Sequence, residues 1–121
     1  MKNKYIALVL GEPNSISSEI IFKSWSKFKK NYLQPILIAN KNNLIIQMKY
    51  LKFNYNLISV DEKNYKLKYK SNEIPIINID LNQKEAFKKL SKETNSFINK
   101  SFNKALKLTK KKDFIGMING P

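Results

Sequence analysis

The sequence predicts an α/β fold, with a largely parallel sheet and flanking helices. Two observations carry that prediction. Short apolar runs of strand length recur along the chain: YIALVL (5–10), PILIAN (35–40), YNLISV (55–60), IPIINID (74–80) and FIGMIN (114–119). Between several of them lie longer stretches whose apolar residues return at helical spacing. The first run lacks polar alternation, which is how a strand buried on both faces of a parallel sheet reads.

Residues 5–10 are bounded by Gly11 and Pro13, so the first strand ends in a turn. A helix follows, with Ser15 as N-cap, Glu19 at its positive end, and Ile16, Ile20, Ile21 and Phe28 on one apolar face. The second strand, 35–40, leads to a helix over 42–52 that turns Leu44, Ile45, Met48 and Leu51 inward. Residues 55–60 alternate like a third strand, and 61–64 form a turn. YKLKYK (65–70) alternates only partly, and Pro75 marks 74–80 as an edge strand or a strand start. A long helix is expected over 83–110, because Phe87, Leu90, Phe97, Ile98, Phe102, Ala105 and Leu106 recur at its spacing. The chain closes on an apolar strand and Asn119-Gly120-Pro121. A helix normally follows such a strand, so the chain reads as the amino-terminal portion of a longer protein.

At 121 residues the chain suits one domain with a real core. It has no cysteine and no histidine, which removes disulfides, thiolate ligands, and the commonest metal ligand and proton shuttle. No run approaches the roughly 18 to 20 apolar residues that span a bilayer. Residues 1–10 imitate an export signal, but the apolar core is too short and Glu12 interrupts it. A cytoplasmic location and no membrane association are therefore expected.

The net charge of +14 comes from 23 basic residues against 9 acidic ones. Every basic residue is Lys, and Arg is the side chain that reads guanine and phosphate bidentately. Lys, Asn and Ile are also what AT-rich codons encode. The charge is read first as a solvated surface, and nucleic acid is not expected as the main partner. A small Lys-rich module binding nucleic acid or other polyanions remains the alternative of another class. Lys110, Lys111 and Lys112 suit the negative end of the long helix or, less simply, a phosphate site. Trp25, Phe28, Tyr32, Tyr50, Phe53 and Tyr55 are interleaved with lysines as in single-strand binders, yet their spacing suits core packing.

Two short motifs remain. Gly11-Glu12-Pro13 reads either as a ligand loop at the carboxyl end of a strand or as a tight turn. Asn119-Gly120 reads either as backbone donors to a substrate phosphate or as plain chain end. Neither a Walker loop nor a dinucleotide G-x-G-x-x-G is present.

The stretch GEPNSISSE (11–19) resembles the G-E-P-A-G-I-G-P-E motif after the first strand of the 4-hydroxythreonine-4-phosphate dehydrogenases. Gly11, Glu12, Pro13, Ile16 and Glu19 match; Asn14, Ser15, Ser17 and Ser18 depart, and both later glycines are lost. The ending IGMI-Asn119-Gly120-Pro121 is similar to that family's strand and T-[A/G]-P-[I/V]-x-K, with Asn for Thr and the Lys falling past the end. The resemblance covers the whole chain but only the first third or so of such an enzyme. It implies a fold like that of isocitrate and isopropylmalate dehydrogenases. It also implies NAD or NADP as oxidant of a small phosphorylated substrate, followed by decarboxylation, on the route to pyridoxal phosphate. A divalent metal held by histidines would polarise the alcohol, so its ligands are expected beyond residue 121. The resemblance suggests a homodimer at full length. It places Gly11, Glu12 and Pro13 in a cofactor-binding or active-site loop, and Asn119 and Gly120 in the substrate-phosphate region. No catalytic or metal residue is assigned within these 121. A paralogue acting on a phosphorylated sugar acid such as threonate 4-phosphate is the nearer alternative. The isolated chain is expected to be inactive and to expose apolar surface.

Overall fold

A computed structural model of the chain describes residues 3–27 and 33–120. Its elements in order are β1 (Lys4–Val9), α1 (Ser17–Trp25), β2 (Leu33–Ala39), α2 (Lys41–Tyr50), β3 (Asn56–Ser59), β4 (Glu73–Asn78), α3 (Asn95–Leu108) and β5 (Phe114–Asn119). A 3-10 turn, Lys92–Thr94, leads into α3. The strands form one five-stranded sheet in the order β3-β4-β2-β1-β5, and all four pairings are parallel.

The apolar strands are covered on both faces, as their composition requires. On one face α1 and α2 bring Phe22, Trp25, Leu44 and Met48 against Leu37, Ala39, Ile74 and Ile76. On the other, α3 brings Phe97, Ala105 and Leu108 against Ala7, Val9, Ile36 and Ile38. Fully burying a side chain of this size contributes about 1.5–3 kcal/mol before chain entropy is charged against it.

Several expected elements take a different form. Residues 83–91 are irregular, and the long helix begins only at Asn95. YKLKYK is a crossover loop between β3 and β4, in which Tyr65 and Tyr69 pack on the α3 face while Leu67 is exposed. Pro75 lies in an interior strand, one residue before the β2–β4 pairing begins at Ile76, so its missing N–H falls where that ladder has not started. In α1 the buried face is Ser17, Ser18, Ile21, Phe22 and Trp25, whereas Ile16 and Ile20 are exposed. Phe28 and Tyr32 lie outside the described residues.

Exposed Ile20 and Ile118 line a cleft of about 240 Å³ with Ile6, Leu8 and Trp25, on the α1 face beside β5. The apolar surface expected of the isolated chain is thus present. Opposite β1, β5 carries a bulge: Phe114 pairs with Tyr5 and Met117 with Ala7, so Ile115 and Gly116 oppose the single residue Ile6. Gly116 has φ 155°, a conformation that favours glycine.

Candidate active-site face

The carboxyl ends of β1, β2, β4 and β5 lie on one side of the sheet, as parallel pairing dictates. From β1 the chain moves to β2 on one side, while α3 carries it across to β5 on the other. The switch in direction falls between β1 and β5, where open α/β sheets take their ligands. The two loops singled out in the sequence leave these two strands.

After β1, Leu10 N–H still donates to Ile38 C=O at 3.2 Å. Gly11 then takes φ 81°, which turns the chain off the strand direction. Glu12 is engaged through both carboxyl oxygens: Oε1 accepts from Asn14 N–H at 3.2 Å and Oε2 from the Thr94 hydroxyl at 2.6 Å. Pro13 is buried, and its carbonyl accepts from Gln47 Nε2 at 2.7 Å. Ser15 does not sit at the N-cap, a position taken by Ile16 without a side-chain bond. Instead the Ser15 hydroxyl donates to Glu12 C=O at 2.8 Å and accepts from Ser17 N–H at 3.1 Å.

After β5, Asn119 is exposed and Gly120 N–H donates to Val9 C=O at 2.8 Å. A Cβ at Gly120 would press into the Leu10 carbonyl oxygen and lie 3.0 Å from Ser17 Oγ. The two predicted loops therefore touch, and only glycine fits the contact. Ser17 replaces a small residue of the family motif and fills this space. Pro121 lies outside the described residues.

Sequence reasoning missed the amide network that roofs this end. Gln47 Nε2 also donates to Ala86 C=O at 2.7 Å, and Asn43 Nδ2 donates to Glu85 C=O at 3.2 Å. Asn14 exchanges hydrogen bonds with the Gln83 side chain at 2.8 and 3.2 Å and accepts from Lys88 N–H at 2.8 Å. These bonds hold 83–91 across the strand ends, using backbone carbonyls that a helix would have kept for itself. Asn40 caps α2 through Asn43 N–H at 2.9 Å and donates to Ile79 C=O at 2.8 Å. Beside it a polar cleft of about 450 Å³ is lined by Asn40, Asn42, Asn78, Asp80, Asn82 and Glu93, among others. The one available sequence signal was the Asn that ends the second predicted strand.

This face offers hydrogen-bond donors and acceptors for a polar ligand. Among the described residues no group of three or more His, Cys, Asp or Glu could hold a metal ion. At Gly120 the loops after β1 and β5 are in close contact, which leaves no gap between them at that point for a ligand. The described residues alone do not make up the metal site that the family resemblance implies. Among the described residues, no helix is long and apolar enough to cross a membrane.

The architecture defines an open, parallel α/β unit, and three solved structures share its fold. The chain is similar to a protein assigned as a 4-hydroxythreonine-4-phosphate dehydrogenase in Salmonella typhimurium, with TM-score 0.85 and 22% identity over 99% of this chain and 38% of that one. It is similar to the Klebsiella pneumoniae 4-hydroxythreonine-4-phosphate dehydrogenase at TM-score 0.82 and 17% identity, covering 98% of this chain and 37% of that one. The Burkholderia phymatum enzyme of the same name aligns at TM-score 0.79 and 14% identity, covering 100% and 37%. The 121 residues thus span well under half the length of these structures. No protein-family model and no curated protein sequence matches the chain.

Proposed function

We propose that this chain is the amino-terminal part of a dehydrogenase that depends on NAD or NADP and a divalent metal and acts on 4-phosphohydroxythreonine in pyridoxal phosphate biosynthesis. One observation carries the reading. The Gly11-Glu12-Pro13 loop and the Asn119-Gly120 turn, the two stretches that resemble the family's motifs, leave adjoining parallel strands and touch at Gly120. They do so within a fold that aligns with such an enzyme over nearly the whole chain.

On this reading the chain supplies scaffold and loop geometry. Glu12, held by Thr94 and Asn14, fixes the loop after β1; Gly120 lets the loop after β5 lie against it. The metal ligands belong to residues beyond these 121, as does the remainder of the nicotinamide site. The whole protein works as a cytoplasmic homodimer.

The test begins with the coding sequence past codon 121 and then uses the whole protein. A frame that continues with a Lys-bearing helix start and several histidines is expected. The whole protein, given 4-phosphohydroxythreonine, NAD or NADP and a divalent ion, should form reduced nicotinamide and release carbon dioxide, and a chelator should stop both. Turnover of threonate 4-phosphate instead would identify the paralogue. A stop codon after Pro121, or no turnover of either substrate, would overturn the proposal.

A further inference from the structure

The opposite end of the sheet, where the strands begin, carries a second feature that the dehydrogenase reading does not use. An open basin of about 750 Å³ is lined there by Lys4, Lys66, Lys110, Lys111 and Lys112, with Asp113 the carboxylate among the lining residues. These lysines come from three separate places in the chain: the start of β1, the 60–72 crossover, and the segment between α3 and β5. A helix C-terminus explains cations at 110–112. It does not explain why Lys4 and Lys66 converge on them. Among the described residues only Lys66 of the five lies within ion-pair distance of a carboxylate, 3.4 Å from Asp113.

The floor under these cations is aromatic. Tyr5, Tyr65 and Phe114 pack as an aromatic cluster with ring centroids 4.9 to 5.7 Å apart. The Tyr65 hydroxyl donates to both oxygens of Asp113, at 2.8 and 2.7 Å. Lys66 and Lys111 ammonium groups stand 5.9 and 5.7 Å from the Tyr65 ring centroid. Asp113 is thus occupied from two directions, and it is outnumbered. The basin sets five ammonium groups against one carboxylate.

We propose that this basin binds a linear oligophosphate, a chain of phosphate groups without a stacked base. Lysines serve phosphate as mobile point charges and do not need the planar geometry of a base edge. The tyrosine rings are only 4% and 3% exposed, so they offer no face on which a base could stack. Among the described residues the basin contains no Arg, and hence no bidentate reader. The volume falls in the range of small-ligand sites, roughly 300–1,000 Å³. The site stands independently of the dehydrogenase reading, at the other end of the strands.

The test is calorimetric titration of the 121-residue chain with inorganic tripolyphosphate near physiological salt. Two triple variants are compared with the wild type. Lys66→Gln/Lys111→Gln/Lys112→Gln alters the basin; Lys27→Gln/Lys49→Gln/Lys89→Gln removes the same charge from exposed positions elsewhere. Saturable binding is expected, weakened about tenfold or more in the basin variant, changed less than about threefold in the control, and falling steeply with added salt. Three outcomes would each overturn the proposal: equal losses in both variants, no binding at that salt, or an oligothymidylate of matched charge binding more tightly than tripolyphosphate.

Discussion

Replacing Gln47 with Leu should unpin the segment that roofs the candidate site. Gln47 is fully buried on α2, and its Nε2 donates at 2.7 Å to both Pro13 C=O and Ala86 C=O. The substitution removes two hydrogen bonds, each worth about 1 kcal/mol net, and strands two carbonyls against an apolar side chain. It also removes Oε1, a buried atom with no partner among the described residues, and that relief offsets part of the loss. The balance is a destabilisation of about 2 kcal/mol, which lowers the urea midpoint by about 1 M. Trp25, the only tryptophan and a buried one, reports the transition by fluorescence. Hydrogen exchange reports the local effect: the Lys88 amide, bonded to Asn14 Oδ1, should lose protection as 83–91 lifts. Gln47→Glu should cost more, because it sets a carboxyl group against two carbonyl oxygens. A Gln47→Leu chain as stable as wild type, with Lys88 still protected, would refute the account of Gln47 as the peg between the β1 loop and its roof.

Three further outcomes follow from the same contacts. Gly120→Ala should break the bond from Gly120 N–H to Val9 C=O, because the neighbour its Cβ meets is backbone; amide exchange at residue 120 should accelerate with little change in the global midpoint. Stability should fall at both pH extremes. Burial alone would raise the Asp113 carboxyl, but the Tyr65 hydroxyl and then Lys66 hold it below its ordinary value. Its contribution is therefore present above about pH 4 and lost as pH falls through that lowered value, and Asp113→Asn should flatten the acid limb of a pH–stability curve. Burial pushes Tyr69 up to about 12, so its contribution is present below about pH 10 and lost as pH climbs from there. Finally, Ile20→Glu and Ile118→Glu should change stability by less than about 1 kcal/mol and reduce binding of an apolar dye, since both side chains are about half exposed; Phe22→Ala should cost about 3–5 kcal/mol.

The strands were legible because burial on both faces leaves an unbroken apolar run, as in 5–10 and 35–40. The sheet order was not, since nothing local in Pro75 says whether its strand lies inside the sheet or at its edge. Helical spacing misled twice. Phe87 and Leu90 fit the periodicity of α3, yet Gln47 and Asn43, about forty residues earlier, take the carbonyls of 85 and 86. Ile16 and Ile20 fit a buried stripe, but both are exposed, and Ile20 lines the cleft that reaches Ile118 of β5. The two motif loops could be picked out because Gly and Pro punctuate them. The amide network could not, because in a chain so rich in Asn its members look like ordinary surface. Thr94 carried no signal at all until the fold brought it to Glu12.

The bulge in β5 bears on how this strand tolerates change in length. The strand is tied at both ends, by Tyr5 N–H to Asp113 C=O at 2.8 Å and by Gly120 N–H to Val9 C=O at 2.8 Å. Between those ties β5 holds one residue more than its partner, and the surplus is confined to Ile115 and Gly116. A strand ordinarily exchanges its faces when its residue count changes by one. Here the surplus is absorbed without a change of parity: Phe114 and Met117 both belong to the α3 face, as residues two apart would in a regular strand. Removing Gly116 would take up slack and leave both the lysine basin and the Asn119 turn in register with β1.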